Sequence, residues 1–265
     1  MRTVIACTAC EGDALELRRA RWRVVYCSAM QNVMKIAASH GATHLVCDLL
    51  KCPAANPRAF AGQVVTQPGG PAVAVRCRAT NTCVRPLQEL ARVTTAVAVS
   101  VRDGFSLADE LGNTTQAPGS ASLQIVACFN RVHPAPARNL LTGLAVRGYR
   151  EVAEDELARA YGVSDSTVRT WLRAARTAHP RLPSYPRMNA SVVATHALNG
   201  REEGGLHRKQ CARRAGFGDD KAFDGYLDYH FGLTLRRLVD AGGYRAMLEH
   251  MESWFAPPPT PGVAG

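Results

Sequence analysis

The chain has 265 residues, 46% of them hydrophobic, with 32 Lys+Arg against 22 Asp+Glu and a formal net charge of +10. That apolar content excludes an intrinsically disordered chain, and the length allows two domains of ordinary size. The positive charge suits a polyanionic partner, and no apolar run reaches membrane-spanning length.

Residues 3–8 (TVIACT), 23–27 (RVVYC), 43–49 (THLVCDL), 72–75 (AVAV) and 95–101 (TAVAVSV) read as short β-branched strands. Helical patterns at residues 14–20, 30–40 and 84–94 separate them, and a last helix starts at 107–111. Buried strands alternating with helices predict a doubly wound parallel sheet. Residues 112–122 carry Gly, Ser and Pro and read as a linker, extended to residue 137. Helices are then expected at 140–148, 154–161, 166–176, 190–198, 207–215, 221–231, 234–241 and 246–255, before a Pro-rich tail at 256–265. The fold class expected is an α/β domain over 1–111 and an all-α domain over 138–255 with two helix-turn-helix units.

Charge is uneven along the chain. Residues 131–214 hold 15 Lys+Arg and 7 Asp+Glu, whereas residues 215–265 hold 4 and 7. The basic stretch includes the first helix-turn-helix pattern, Glu156 to Leu172. In it Ala158 is small where two helices cross, Gly162 supplies a positive φ and Ser164 is a good N-cap. Val163, Val168, Trp171 and Leu172 fill the core. Ser164, Ser166, Thr167, Arg169, Thr170, Arg173 and Arg176 are then left to contact base edges and phosphates. Asp165 is also on the exposed side.

The second pattern is Ala212, Ala215-Gly216-Phe217, Phe223 and Phe231-Gly232-Leu233-Thr234. It resembles the closing part of AraC/XylS-type transcription regulators, which carry two helix-turn-helix units joined by a connecting helix, here over 188–198. The resemblance covers roughly residues 138–242 and implies a sequence-specific DNA-binding regulator. Its implied partner is double-stranded DNA, with a homodimer and RNA polymerase as further partners; no cofactor and no enzymatic activity are implied. Two departures stand out. The family's Pro after Ser/Thr is Leu235, and the second recognition helix carries Asp219, Asp220, Asp224 and Asp228 beside one basic residue, Lys221. Carboxylates facing phosphates repel, so this unit is expected to serve packing. The rival reading is a protein–protein adaptor that no longer binds DNA. Residues 177–187, with three prolines, lengthen the link between the units.

The order of the N-terminal elements resembles the receiver domain of bacterial response regulators. Asp48, ending the third strand, takes the place of the phospho-acceptor. The paired acids that would hold Mg²⁺ are missing from the end of the first strand (Ala6-Cys7-Thr8-Ala9-Cys10), and Glu11 and Asp13 come too late. Arg102 stands for the expected Lys, and Thr80 or Thr82 for the expected Thr. A degenerate module for regulation or dimerisation is therefore expected. Cys7-x₂-Cys10 and Cys47-x₄-Cys52 lack partner histidines at ligand spacing, so no metal is expected. The nine cysteines are expected to be reduced and the protein cytoplasmic, since Met1-Arg2 leads into no signal-peptide pattern.

Overall fold

The computed structural model describes residues 2–7, 11–27, 32–48, 71–77, 81–94, 97–101, 107–108, 111 and 121–256. Five strands form one sheet: β1 (Thr3–Cys7), β2 (Arg23–Cys27), β3 (His44–Asp48), β4 (Ala72–Cys77) and β5 (Ala98–Val101). All pairs are parallel and the order is β2-β1-β3-β4-β5. This is the doubly wound order in which the chain reverses direction between β1 and β3. The helices between are α1 (Glu11–Arg19), α2 (Val33–Ser39) and α3 (Asn81–Val93).

Both faces of the sheet are covered. Val4, Val46 and Ala74 pack with Leu17 and Trp22 on one face. Ile5, Cys47, Val73 and Val75 join Val33, Leu87 and Leu90 on the other. Strands that are buried on both faces must be apolar throughout, as VIA and LVC are. The last helix expected from 107 is described only at Leu107, Ala108 and Leu111, all buried against the α1 face.

Nine helices follow in the described C-terminal residues: α4 (Ala121–Phe129), α5 (Ala135–Arg147), α6 (Glu154–Tyr161), α7 (Asp165–Ala178), α8 (Tyr185–Glu202), α9 (Arg208–Arg214), α10 (Asp220–Phe231), α11 (Leu235–Asp240) and α12 (Gly243–Ser253). The expected linker over 112–137 is corrected at its end. Residues 121–129 form a helix with seven buried positions, and α5 begins at 135. Both helices pack against α3 and β5, so the sheet and the helical part share one continuous core. The segment ASLQIVACF is apolar on nearly every side, so it carries no amphipathic stripe; a helix of that kind is buried. Pro134 and Pro136 then open α5 in positions where the missing N–H costs nothing.

The long helix α8 forms the axis of the helical part, with buried residues from Tyr185 to Gly200. It packs against α5, α9, α10, α11 and α12. Gly143 on α5 is fixed by a close approach: a Cβ there would run into the ring and hydroxyl of Tyr161 on α6. That hydroxyl donates to the Asn139 carbonyl at 2.6 Å. None of the helices among the described residues is long and apolar enough to cross a membrane.

Candidate nucleic-acid interface

Helices α6 and α7 meet at a tight turn. Gly162 ends α6 in the left-handed region at φ 65°, and its neighbour Val163 donates to the Ala158 carbonyl at 3.0 Å. This is the glycine-terminated helix end in which orphan carbonyls find late partners. Ser164 then caps α7, its hydroxyl accepting from the Thr167 N–H at 3.2 Å. Val168, Leu172 and Ala175 bury one stripe of α7. The start of α6 is fixed from α8. Asn189 donates to the Val152 carbonyl at 2.9 Å, and the Tyr185 hydroxyl donates to the same oxygen at 2.6 Å.

The residues expected to contact nucleic acid all lie on α7 or its cap, apart from Lys221. Ser164, Ser166, Arg169, Thr170, Arg173 and Arg176 are exposed and Thr167 is half-buried. Arg169, Arg173 and Arg176 recur at i, i+4 and i+7 and therefore share a face. Their situations differ. The Arg169 Nε lies 3.0 Å from Glu154 of α6. Arg173 and Arg176 make no ion pair with a described residue. The Ser164 hydroxyl lies 2.8 Å from that of Ser166 and 2.9 Å from that of Thr167. Thr170 donates to the Ser166 carbonyl at 2.8 Å. Those hydroxyls serve the helix start and keep only spare lone pairs for a ligand.

The second pair, α9 and α10, is joined through Gly216 at φ 85° and capped by Asp219, which accepts from the Ala222 N–H at 2.8 Å. Its carboxylates do not stand in a row towards solvent. Arg208 of α9 takes Asp220 at 3.2 Å and Asp224 at 2.6 Å. Asp224 also accepts from the Leu235 N–H at 3.0 Å and so ties α10 to α11. Of the four, only Asp228 is exposed without such a role. The open surface of α10 is Lys221, Ala222, Gly225, Asp228 and Tyr229, the tyrosine 86% exposed. The expected repulsive face is therefore smaller than the sequence suggests. Phe223 is fully buried, with Phe217 at 5.1 Å between ring centroids, and Phe231 packs against the same core. Sequence reasoning misses the role of Arg208 because its partners lie 12 and 16 residues away on another helix.

Asp48 is buried at the carboxyl end of β3, register partner of Arg76 on β4, which is also buried. Asp13, expected to come too late in the chain, reaches this edge: its Oδ1 accepts from Arg76 Nε at 3.3 Å. Glu16 Oε2 lies 4.0 Å from the same guanidinium, and its Oε1 accepts from the Ala108 N–H at 3.2 Å. The strand neighbour of Asp48 is thus an arginine held by carboxylates of α1. Thr82 is exposed at the start of α3, while Thr80 and Arg102 lie outside the described residues.

No group of three or more His, Cys, Asp or Glu among the described residues is arranged to hold a metal. Cys27, Cys47, Cys77, Cys83, Cys128 and Cys211 are buried. Burial, with Glu252 adding to it, pushes the Cys128 thiol up to about 12, which keeps it protonated and unreactive. Cys10 and Cys52 lie outside the described residues. Comparison of the chain with protein-family models, curated proteins and solved structures returns no match.

Proposed function

We propose that the protein is a DNA-binding transcription regulator of AraC type, in which α6 and α7 form a helix-turn-helix unit and α7 enters the major groove. The observation that carries this reading is the Gly162 turn and Ser164 cap together with the exposed row Arg169, Arg173 and Arg176. A helix start free of bulky side chains, followed by guanidiniums on one face, meets what base edges and phosphates require. Helices α9 and α10 form the second unit, with α8 as the connecting helix. Its internal use of Asp219, Asp220 and Asp224 weakens the case for an adaptor that repels DNA. The sheet domain is a receiver-like module for regulation or dimerisation, in which Arg76 fills the place of a metal's charge beside Asp48.

Selection of duplexes from a random-sequence pool tests the reading. Enrichment of a defined site by the full chain, lost in Arg173→Ala, supports it. Absence of enrichment at low salt contradicts it.

A further inference from the structure

A cleft of about 450 Å³ opens where the connection between α7 and α8 meets the last turn of α12. Arg181, Pro183, Arg187, His250, Ser253 and Trp254 line it, and no carboxylate does. Arg181 and Arg187 are exposed, and neither pairs with a carboxylate among the described residues. Like charges held at one cleft repel until an anion comes between them.

The loop that presents them is pinned at several points. The Leu182 N–H donates to the His179 carbonyl at 2.9 Å, and the Leu182 side chain is buried. The His179 ring accepts from the His133 N–H at 3.1 Å and stands edge-on to Phe255 at 5.4 Å. Tyr185 is anchored through Val152. Pro183 and Pro186 fix φ at two further positions. The backbone that carries both arginines is therefore held in place, and only their side chains must order when a ligand arrives. Ser253 donates to the His250 carbonyl at 2.6 Å, which leaves the guanidiniums and the imidazole as donors. The Trp254 indole, 5.7 Å from the His250 ring, is mostly buried and gives the cleft an apolar edge.

The position of the cleft narrows the occupant. It lies past the C-terminal end of α7, whose 14 residues span about 21 Å. The Ser164 cap and Arg169 are at the other end of that helix. A forked guanidinium suits the oxygens of a phosphate, and a dianion balances two of them better than a single carboxylate does. Burial first, and Arg187 second, hold the His250 imidazole below its ordinary pKa, a field that a bound anion would offset.

We infer that this cleft binds a small phosphate monoester of about nucleotide size, its phosphate between Arg181 and Arg187 and its body against Trp254. The inference does not depend on DNA binding, because its readout is the ligand itself. Calorimetric titration of the full chain with adenosine 5′-monophosphate and with inorganic phosphate tests it. One saturable site is expected, with the nucleotide bound more tightly than phosphate. Arg181→Ala and Arg187→Ala should each weaken binding at least about tenfold, as removal of a charge-assisted hydrogen bond does. Arg213→Ala, exposed on α9 and outside the cleft, should leave it unchanged, and unfolding midpoints of all three variants should stay near that of the parent. Absence of saturation by either probe, or binding in the two cleft variants as tight as in the parent, overturns the inference. So does a loss of duplex affinity in those variants without added ligand, which would make the cleft part of a DNA-backbone track.

Discussion

The Asp224 carboxylate takes the Arg208 guanidinium at 2.6 Å, so a residue at the centre of α10 is turned inward to join α9 to α10. Its other oxygen holds the Leu235 N–H. Asp224→Ala should therefore destabilise the protein by about 1–3 kcal/mol, the range for stranding half-buried charged partners. Asp228→Asn should leave stability unchanged and raise non-specific DNA affinity, because of the four aspartates only Asp228 is exposed with neither a cap nor an ion pair to serve. Urea unfolding and duplex binding measured on both variants separate the two roles. Equal stability of the parent and Asp224→Ala would contradict the assignment.

Under the proposed DNA-binding function, Glu154 competes with DNA for Arg169. Their 3.0 Å pair is largely exposed, so it stabilises little and is readily exchanged for a phosphate. Glu154→Gln should strengthen duplex binding by a few-fold and steepen its salt dependence, since one more cation becomes available. An unchanged salt slope would mean that Arg169 does not reach DNA.

The His196 ring lies against α5 with a ring nitrogen 2.8 Å from the Ala145 carbonyl. Burial lowers its pKa from 6.5 to about 4. Above pH 6.5 the ring is neutral in both folded and unfolded chains. Between 6.5 and 4 the unfolded chain binds a proton that the folded one refuses, so stability falls, by about 2 kcal/mol at pH 5. Below the folded pKa the loss levels off. His179, His230 and His250 shift in the same direction and add to the trend. Urea midpoints at neutral pH and pH 5 should converge more in His196→Gln than in the parent. Identical pH dependence of the two would contradict a buried neutral ring.

Much of the architecture is legible in the sequence. VIA and LVC are short apolar runs that suit strands covered on both faces, VVY suits the half-open edge strand β2, and the five strands fall close to where these patterns lie. Gly162 and Ser164 are legible because a left-handed turn and a helix cap each demand few residue types. Helix α4 is not, since ASLQIVACF has no polar face to set a period and follows a Gly/Ser/Pro stretch. Long-range ion pairs are equally hidden. Asp13 and Arg76 are 63 residues apart, and nothing local to either announces their pairing. The four aspartates around α10 read as one acidic face, whereas a cap and a shared guanidinium use three of them.

Arg76 makes a prediction for Asp48. Arg76, the strand neighbour of Asp48, is held by Asp13 and Glu16 and carries a charge of the sign that a divalent ion would supply. Incubation with a small phosphodonor and Mg²⁺ should leave the mass of the protein unchanged. A stoichiometric gain of one phosphoryl group that disappears in Asp48→Asn would restore an ordinary receiver switch.

The most direct test of the central claim is the salt dependence of duplex binding by the full chain and by Arg173→Ala/Arg176→Ala. DNA binding through α7 predicts a linear fall of log affinity with log salt in the parent. In the folded double variant the slope should be shallower by about 1.8, or about 0.9 for each phosphate that is no longer neutralised. The same affinity and slope in both proteins would contradict the account.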